Sequence, residues 1–151
     1  ARRSLGAILG PPPEPEMSGP APEEPLADRP AAAPSPAMAR LTRAMTEEQA
    51  YRREGLTLAE LAKTLEVGEA VLRRLINQEL GYRNFNDFLH HYRLQEAAQR
   101  LTSEDLPILS IALECGYGSI GPFNRAFRQR FGMTPTEYRA AARMERHRQA
   151  V

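Results

Sequence analysis

LRRLINQELG, residues 72–81, returns fifty-one residues later as FNRAFRQRFG, residues 123–132. Arg74 matches Arg125, Gln78 matches Gln129 and Gly81 matches Gly132. Apolar residues coincide at Leu72/Phe123, Leu75/Ala126, Ile76/Phe127 and Leu80/Phe131, the spacing of a helix with one face in a core. Each glycine then stands where a helix C-terminus needs one. Ahead of each copy lies a shorter apolar helix pattern and a tight turn: LAELAKTLEVG (58–68) before the first and ILSIALECGYGS (108–119) before the second. A short helix, a turn and a second helix with outward polar residues is the outline of a helix-turn-helix. Two such units in one small domain imply a protein that reads two stretches of DNA.

Charge divides unevenly between the copies. The net charge of the whole chain is +1. Residues 47–114 hold 8 Lys and Arg against 12 Asp and Glu, a balance of −4. Residues 115–151 hold 7 Arg against 2 Glu, a balance of +5. The second unit therefore carries the electrostatic footprint of phosphate contact and the first does not.

Composition bounds the rest. The chain has 151 residues, 42% hydrophobic and 26% charged, which suits one small domain plus a less ordered segment. Its single cysteine excludes an internal disulfide framework and fits a reducing compartment. No apolar run approaches the roughly 18 residues that would span a membrane, and ARRSLGAILG at the start is too short for a signal peptide. Because residue 1 is Ala rather than Met, a fragment or processed chain is expected.

Ten of the 13 prolines fall between Pro11 and Pro36. Such a stretch buries too little apolar surface to offset its ordering entropy, so residues 1–35 read as a flexible linker. Ser35 and Pro36 suit an N-cap and first helical position, opening a helix expected to run to Glu54 and stop at Gly55. Thr57 to Glu60 spells a capping box, and a helix is expected from Glu69 to Leu80. Asn84 to Asp87 caps a connecting helix through Leu101, with Phe85, Phe88, Leu89, Tyr92, Leu94, Ala97, Ala98 and Leu101 as its apolar stripe. Further helices are expected from Pro107 to Cys115, from Ser119 or Gly121 to Phe131, and from the Thr134–Glu137 capping box to Arg146. The expected fold is all-α, with about seven helices over 36–148: helix-turn-helix units at 57–81 and 107–132, a connecting helix at 84–101 and a last helix at 135–146.

GYGSIGPFNRAFRQRFGMTPTEYR, residues 116–139, resembles the C-terminal signature of the AraC/XylS family of bacterial transcription regulators. LTLAELAKTLEV and LGYRNFNDFLHHYRLQEAAQRL resemble that family's first helix-turn-helix and connecting helix, in the same order. The likeness covers about Thr57 to Arg139. The LRRLIN, GYRNF and GPFNRAF wording also resembles a subgroup whose N-terminal region is membrane-embedded. The resemblance implies a transcription regulator acting on double-stranded promoter DNA in the cytoplasm, tethered through its proline-rich segment to a sensor region. It also implies RNA polymerase as a partner and self-association through the region upstream. Geometry agrees: a connecting helix of about 18 residues spans roughly 27 Å, while successive major grooves on one face of DNA lie about 34 Å apart.

Carried over by position, the resemblance sets Ala70, Arg73 and Arg74 toward bases in the first unit, and Ile120, Gly121, Asn124 and Arg125 in the second. An arginine can bridge guanine O6 and N7, and an asparagine can read adenine. Arg128 and Arg130 would lie on phosphates, as would Ser119 with the free N–H groups at its helix start. Leu72, Leu75, Ile76, Phe123, Phe127 and Phe131 are core. Gly68-Glu69 replaces the hydroxyl cap usual in the family, and Ile120-Gly121-Pro122 offers few polar groups at the second entrance. Those departures, with the acidic first unit, motivate a rival reading as a helical protein-interaction domain of the same fold.

Catalysis has no support. His90 and His91 are adjacent, pointing about 100° apart, and cannot form an i, i+4 metal pair. Cys115 reads as a buried structural thiol. There is no phosphate-cradling glycine loop and no nucleophile–base constellation. Neither a cofactor nor a metal is expected.

Overall fold

The computed structural model describes residues 34–150, so the linker expected over 1–35 lies outside the described residues save for Pro34 and Ser35. Seven α-helices and no strand make up the described part: α1 (Pro36–Thr46), α2 (Leu58–Leu65), α3 (Glu69–Arg74), α4 (Phe85–Ser103), α5 (Ile108–Glu114), α6 (Ile120–Phe131) and α7 (Pro135–Ala150). Ser35 caps α1 by accepting from the Met38 amide at 3.1 Å. Thr57 and Glu60 exchange side-chain-to-backbone hydrogen bonds at the start of α2, each 3.1 Å. Asn84 caps α4 by accepting from the Asp87 amide at 2.8 Å, and Thr134 and Glu137 repeat the reciprocal pair ahead of α7. These caps satisfy amides that have no partner within the helix.

Three boundaries differ from the sequence reading. α1 ends at Thr46, not Glu54. Carboxylates at Glu47 and Glu48 oppose the negative end of the helix dipole, and Gln49 turns the chain through a left-handed φ of 53°. A 3-10 turn, Ala50–Arg52, follows and buries Tyr51; Gly55, at φ 74°, closes this turn instead of the helix. α3 passes at Leu75 into a π-helical turn, Leu75–Glu79, closed by the Leu80 amide on the Leu75 carbonyl at 2.9 Å. The last helix continues past Arg146 to Ala150.

Two cores form, and α4 belongs to both. Leu41 and Met45 of α1, Leu61 and Leu65 of α2, Leu72, Leu75 and Ile76 pack with Phe88 and Leu89 of α4. Ile111, Ala112 and Cys115 pack with Phe123 and Phe127 of α6 against Leu94, Ala97 and Leu101, one turn and more along α4. Of the apolar residues expected to face the core, Phe85, Tyr92 and Phe131 stay half-buried, the last packed on Phe127 and Tyr138, and Leu80 is exposed. No helix among the described residues is long and apolar enough to cross a membrane.

Candidate nucleic-acid interface

The core decides which side of each helix faces out. On α6, Phe123 and Phe127 are fully buried. At about 100° per residue, Gly121, Arg125, Arg128 and Gln129 then fall together on the opposite side, and Arg125, Arg128 and Gln129 are exposed. Leu72, buried in the same way, turns Ala70, Arg73 and Arg74 of α3 outward, all three exposed. The small residue followed by arginine one turn on thus recurs, as Ala70/Arg74 and Gly121/Arg125. Arg125 lies back along the helix start: a Cβ on Gly121 would sit 3.5 Å from its Nη1. Asn124 is exposed on the flank of this face, and Ser119 is exposed at the N-cap with its hydroxyl unused by the helix.

Among the described residues, the arginines differ in whether the protein itself engages them. Arg40 donates to the Leu65 carbonyl and Arg139 to those of Leu101 and Glu104. Arg93 donates to the carbonyls of Tyr51 and Arg53. Arg52 and Arg100 hold Glu96, and Arg100 also holds Glu104 and Glu114. Arg73, Arg74, Arg125 and Arg128 make no side-chain hydrogen bond or ion pair among the described residues. Those four stand on the outward faces of α3 and α6, free to meet a polyanion.

Arg130 faces a different side of α6. Five residues beyond Arg125 it lies about 140° round the helix, where its Nη1 donates to His91 Nδ1 at 3.2 Å and its guanidinium lies over the Phe131 ring. It ties α6 to α4 and does not join the outward face. The histidines pack as well: His90 stacks on Tyr117, with Nδ1 2.7 Å from the phenol oxygen, and His91 packs against Tyr82 and Tyr92. Burial and then the nearby Arg93 and Arg130 hold the two imidazoles below their ordinary range. Cys115 is fully buried, its thiol pushed up to about 12, chiefly by burial. No group of three His, Cys, Asp or Glu among the described residues could hold a metal ion.

Asn77, Gln78 and Gln129 are exposed too, although the sequence reading used Gln78 and Gln129 only to align the two copies and assigned none of the three a role. Gln129 was within reach: it lies four residues after Arg125, on the same face. Asn77 and Gln78 fall in the π-helical turn, where each residue advances less than in an α-helix, so their register relative to α6 drifts.

Residues 61–141 match the family model described as "Helix-turn-helix domain". The chain is similar to the HTH-type transcriptional regulator CdhR of Pseudomonas aeruginosa, 34% identical over 101 residues, which are 67% of this chain and 30% of that protein. It is 32% identical over 93 residues to the probable transcription factor PqrA of Proteus vulgaris, covering 62% of this chain and 75% of the relative. Among solved structures, the C-terminal domain of AraT, a response regulator from Geobacillus stearothermophilus, superposes with a TM-score of 0.64 at 34% identity, over 71% of this chain and 86% of the other. The chain thus spans about a third of CdhR but most of PqrA.

Proposed function

The chain belongs to the AraC/XylS-type helix-turn-helix family, and on that premise we propose that it is the DNA-binding region, residues 36–148, of a transcription regulator, not an enzyme. α3 and α6 enter successive major grooves of one duplex, and α4 sets the distance between them. At 19 residues α4 is about 28 Å long, close to the roughly 34 Å between grooves on one face of DNA. The observation that carries the reading is the set of unengaged arginines, Arg73, Arg74, Arg125 and Arg128, outward on the two helices that the repeat identifies.

Arg74 and Arg125 stand one turn into their helices and reach bases, where a guanidinium can bridge guanine O6 and N7. Arg73 and Asn124 flank them, and Ala70 and Gly121 let the backbone approach the groove. Arg128, with the hydroxyl and open amides at Ser119, holds phosphates. The +5 balance after residue 115 makes the second unit the stronger electrostatic contributor.

Fluorescence-anisotropy binding of the 151-residue chain to a random duplex library and to its selected winners, across a salt series, tests this. Preference for a site of about 20 base pairs, with affinity falling steeply as salt rises, is expected. Affinity indifferent to both sequence and salt would overturn the reading in favour of a protein-interaction domain.

A further inference from the structure

We propose that Arg93 is a positioning residue: at the seam between the two cores it locks the second helix-turn-helix against the segment before the first, and so fixes the spacing of half-sites that the protein accepts. The inference rests on the two-groove reading above and concerns what holds the two recognition helices in register.

The seam lies in mid-α4, where half-buried Tyr92, beyond Leu89, still packs on the first core and Leu94 is the first residue of the second. Arg93 fills it with only 9% of its surface exposed. A buried guanidinium needs its donors satisfied, yet no carboxylate among the described residues pairs with it. Its partners are main-chain carbonyls: Nε donates to Tyr51 at 2.7 Å and Nη2 to Arg53 at 2.9 Å. Both belong to the turn before the first unit. From the other side comes the turn of the second unit. The Tyr117 ring stacks on His90 at 5.6 Å and meets the Arg93 guanidinium at 5.5 Å.

The glycines around Tyr117 show how close this approach is. A Cβ on Gly116, at φ 112°, would lie 2.5 Å from the Tyr51 carbonyl oxygen and 2.7 Å from Arg93 Nε. On Gly118 it would clash with Glu54 Oε2. Tyr51, Arg53, Gly116 and Tyr117 thus meet at one guanidinium, with Gly118 against Glu54 beside it, although Tyr51 and Tyr117 belong to different cores. Either core can be completed without this contact; the angle between the units cannot be held as firmly. The turn at 51–54 lies before the segment that matches the family model, so the lock recruits a part of the chain outside it.

The first readout needs no DNA. Asn77→Cys and Gln129→Cys place spin labels on the two recognition helices, both positions being exposed, while fully buried Cys115 stays unlabelled. Electron–electron distance measurements should give a narrow distribution in the parent, broadened about twofold by Arg93→Lys, which keeps the charge but loses the planar fork. Gly116→Ala should broaden it too. Gly132→Ala is the control, because Gly132 has a similar left-handed backbone (φ 76°), open space around its Cβ and a place outside the span between the labels. Unchanged distributions in both Arg93→Lys and Gly116→Ala would overturn the lock.

The second readout uses the selected duplex with one base pair inserted between its halves, which rotates one half-site by about a tenth of a turn. The parent should lose roughly ten- to hundredfold in affinity, and Arg93→Lys clearly less. Identical losses in the two proteins would overturn the link to spacing. Broadened distributions without any spacing dependence would keep the lock and reject the two-groove reading.

Discussion

Arg139 on α7 donates through Nε to the carbonyl oxygen of Leu101, 3.0 Å away, and through Nη2 to that of Glu104 at 3.2 Å. One side chain thereby satisfies two carbonyls at the C-terminal end of α4, which has no glycine cap of its own. Arg139→Ala should cost about 2 kcal/mol, the order expected when part-buried acceptors lose a charged donor. Arg139→Lys should recover only part, since an ammonium cannot span both carbonyls in one plane. Urea unfolding checks both, and an unchanged midpoint in Arg139→Ala would remove Arg139 from the cap.

The two cores make a paired prediction. Leu75→Ala empties a site 2% exposed in the first core, and Phe127→Ala one fully buried in the second. Each should cost roughly 2–5 kcal/mol through the cavity it leaves. Sharing no core neighbours, the two substitutions should add to within about 0.5 kcal/mol in the double variant. Unfolding measured on the three proteins decides it. A strongly non-additive result would mean that the seam transmits packing as well as orientation.

What the sequence disclosed is what neighbouring residues decide. The capping boxes at Thr57/Glu60 and Thr134/Glu137 and the Asn84 cap act over three residues, and each is made as its spelling requires. The repeat disclosed the second helix of each helix-turn-helix unit because an apolar stripe at helical spacing needs no partner to be recognised. The end of α1 was misplaced because the left-handed turn at Gln49 has no glycine to announce it, and the segment beyond is held by a distant partner: Tyr51 donates to Glu96, forty-five residues on, at 2.6 Å. Arg93 and Arg139 look like surface arginines in sequence, for their carbonyl partners lie 42 and 38 residues away. Arg130 lies on another side of α6 from Arg125, as the helical angle of about 140° between them already requires.

Arg125 and Arg74 test the outward faces directly. Neither has a side-chain partner among the described residues, so Arg125→Ala and Arg74→Ala should leave unfolding within about 0.5 kcal/mol of the parent. In binding, Arg125→Ala should lose about 1–3 kcal/mol and relax discrimination at one or two base pairs, whereas Arg128→Ala should weaken all sequences alike and lower the salt slope by about one. Competition among single-base variants of the selected duplex separates the two patterns. Undiminished sequence preference in Arg125→Ala would take base reading away from that residue.

Acid should loosen the contact between α4 and the second unit before it unfolds the rest. Arg130 can only donate, so His91 must accept at Nδ1 and be neutral there. His90 is held low by burial and then by Arg93, against a smaller opposing pull from Asp87, and His91 by burial and then by Arg130. Tyr82, Tyr92 and Tyr117 complete the surroundings. A histidine lowered in the folded state binds its proton more readily in the unfolded chain, so stability rises with pH through this range. That contribution is whole above the ordinary value of 6.5 and is lost as pH falls through the folded-state values. The Glu96 and Glu137 carboxylates sit below their ordinary 4.5 and act only in stronger acid. Melting temperature should therefore decline as pH falls below about 6.5, and the double variant His90→Gln with His91→Gln should flatten that limb. Thermal unfolding of both proteins across this range decides the matter, since an equal decline in the two would place the titrating groups elsewhere.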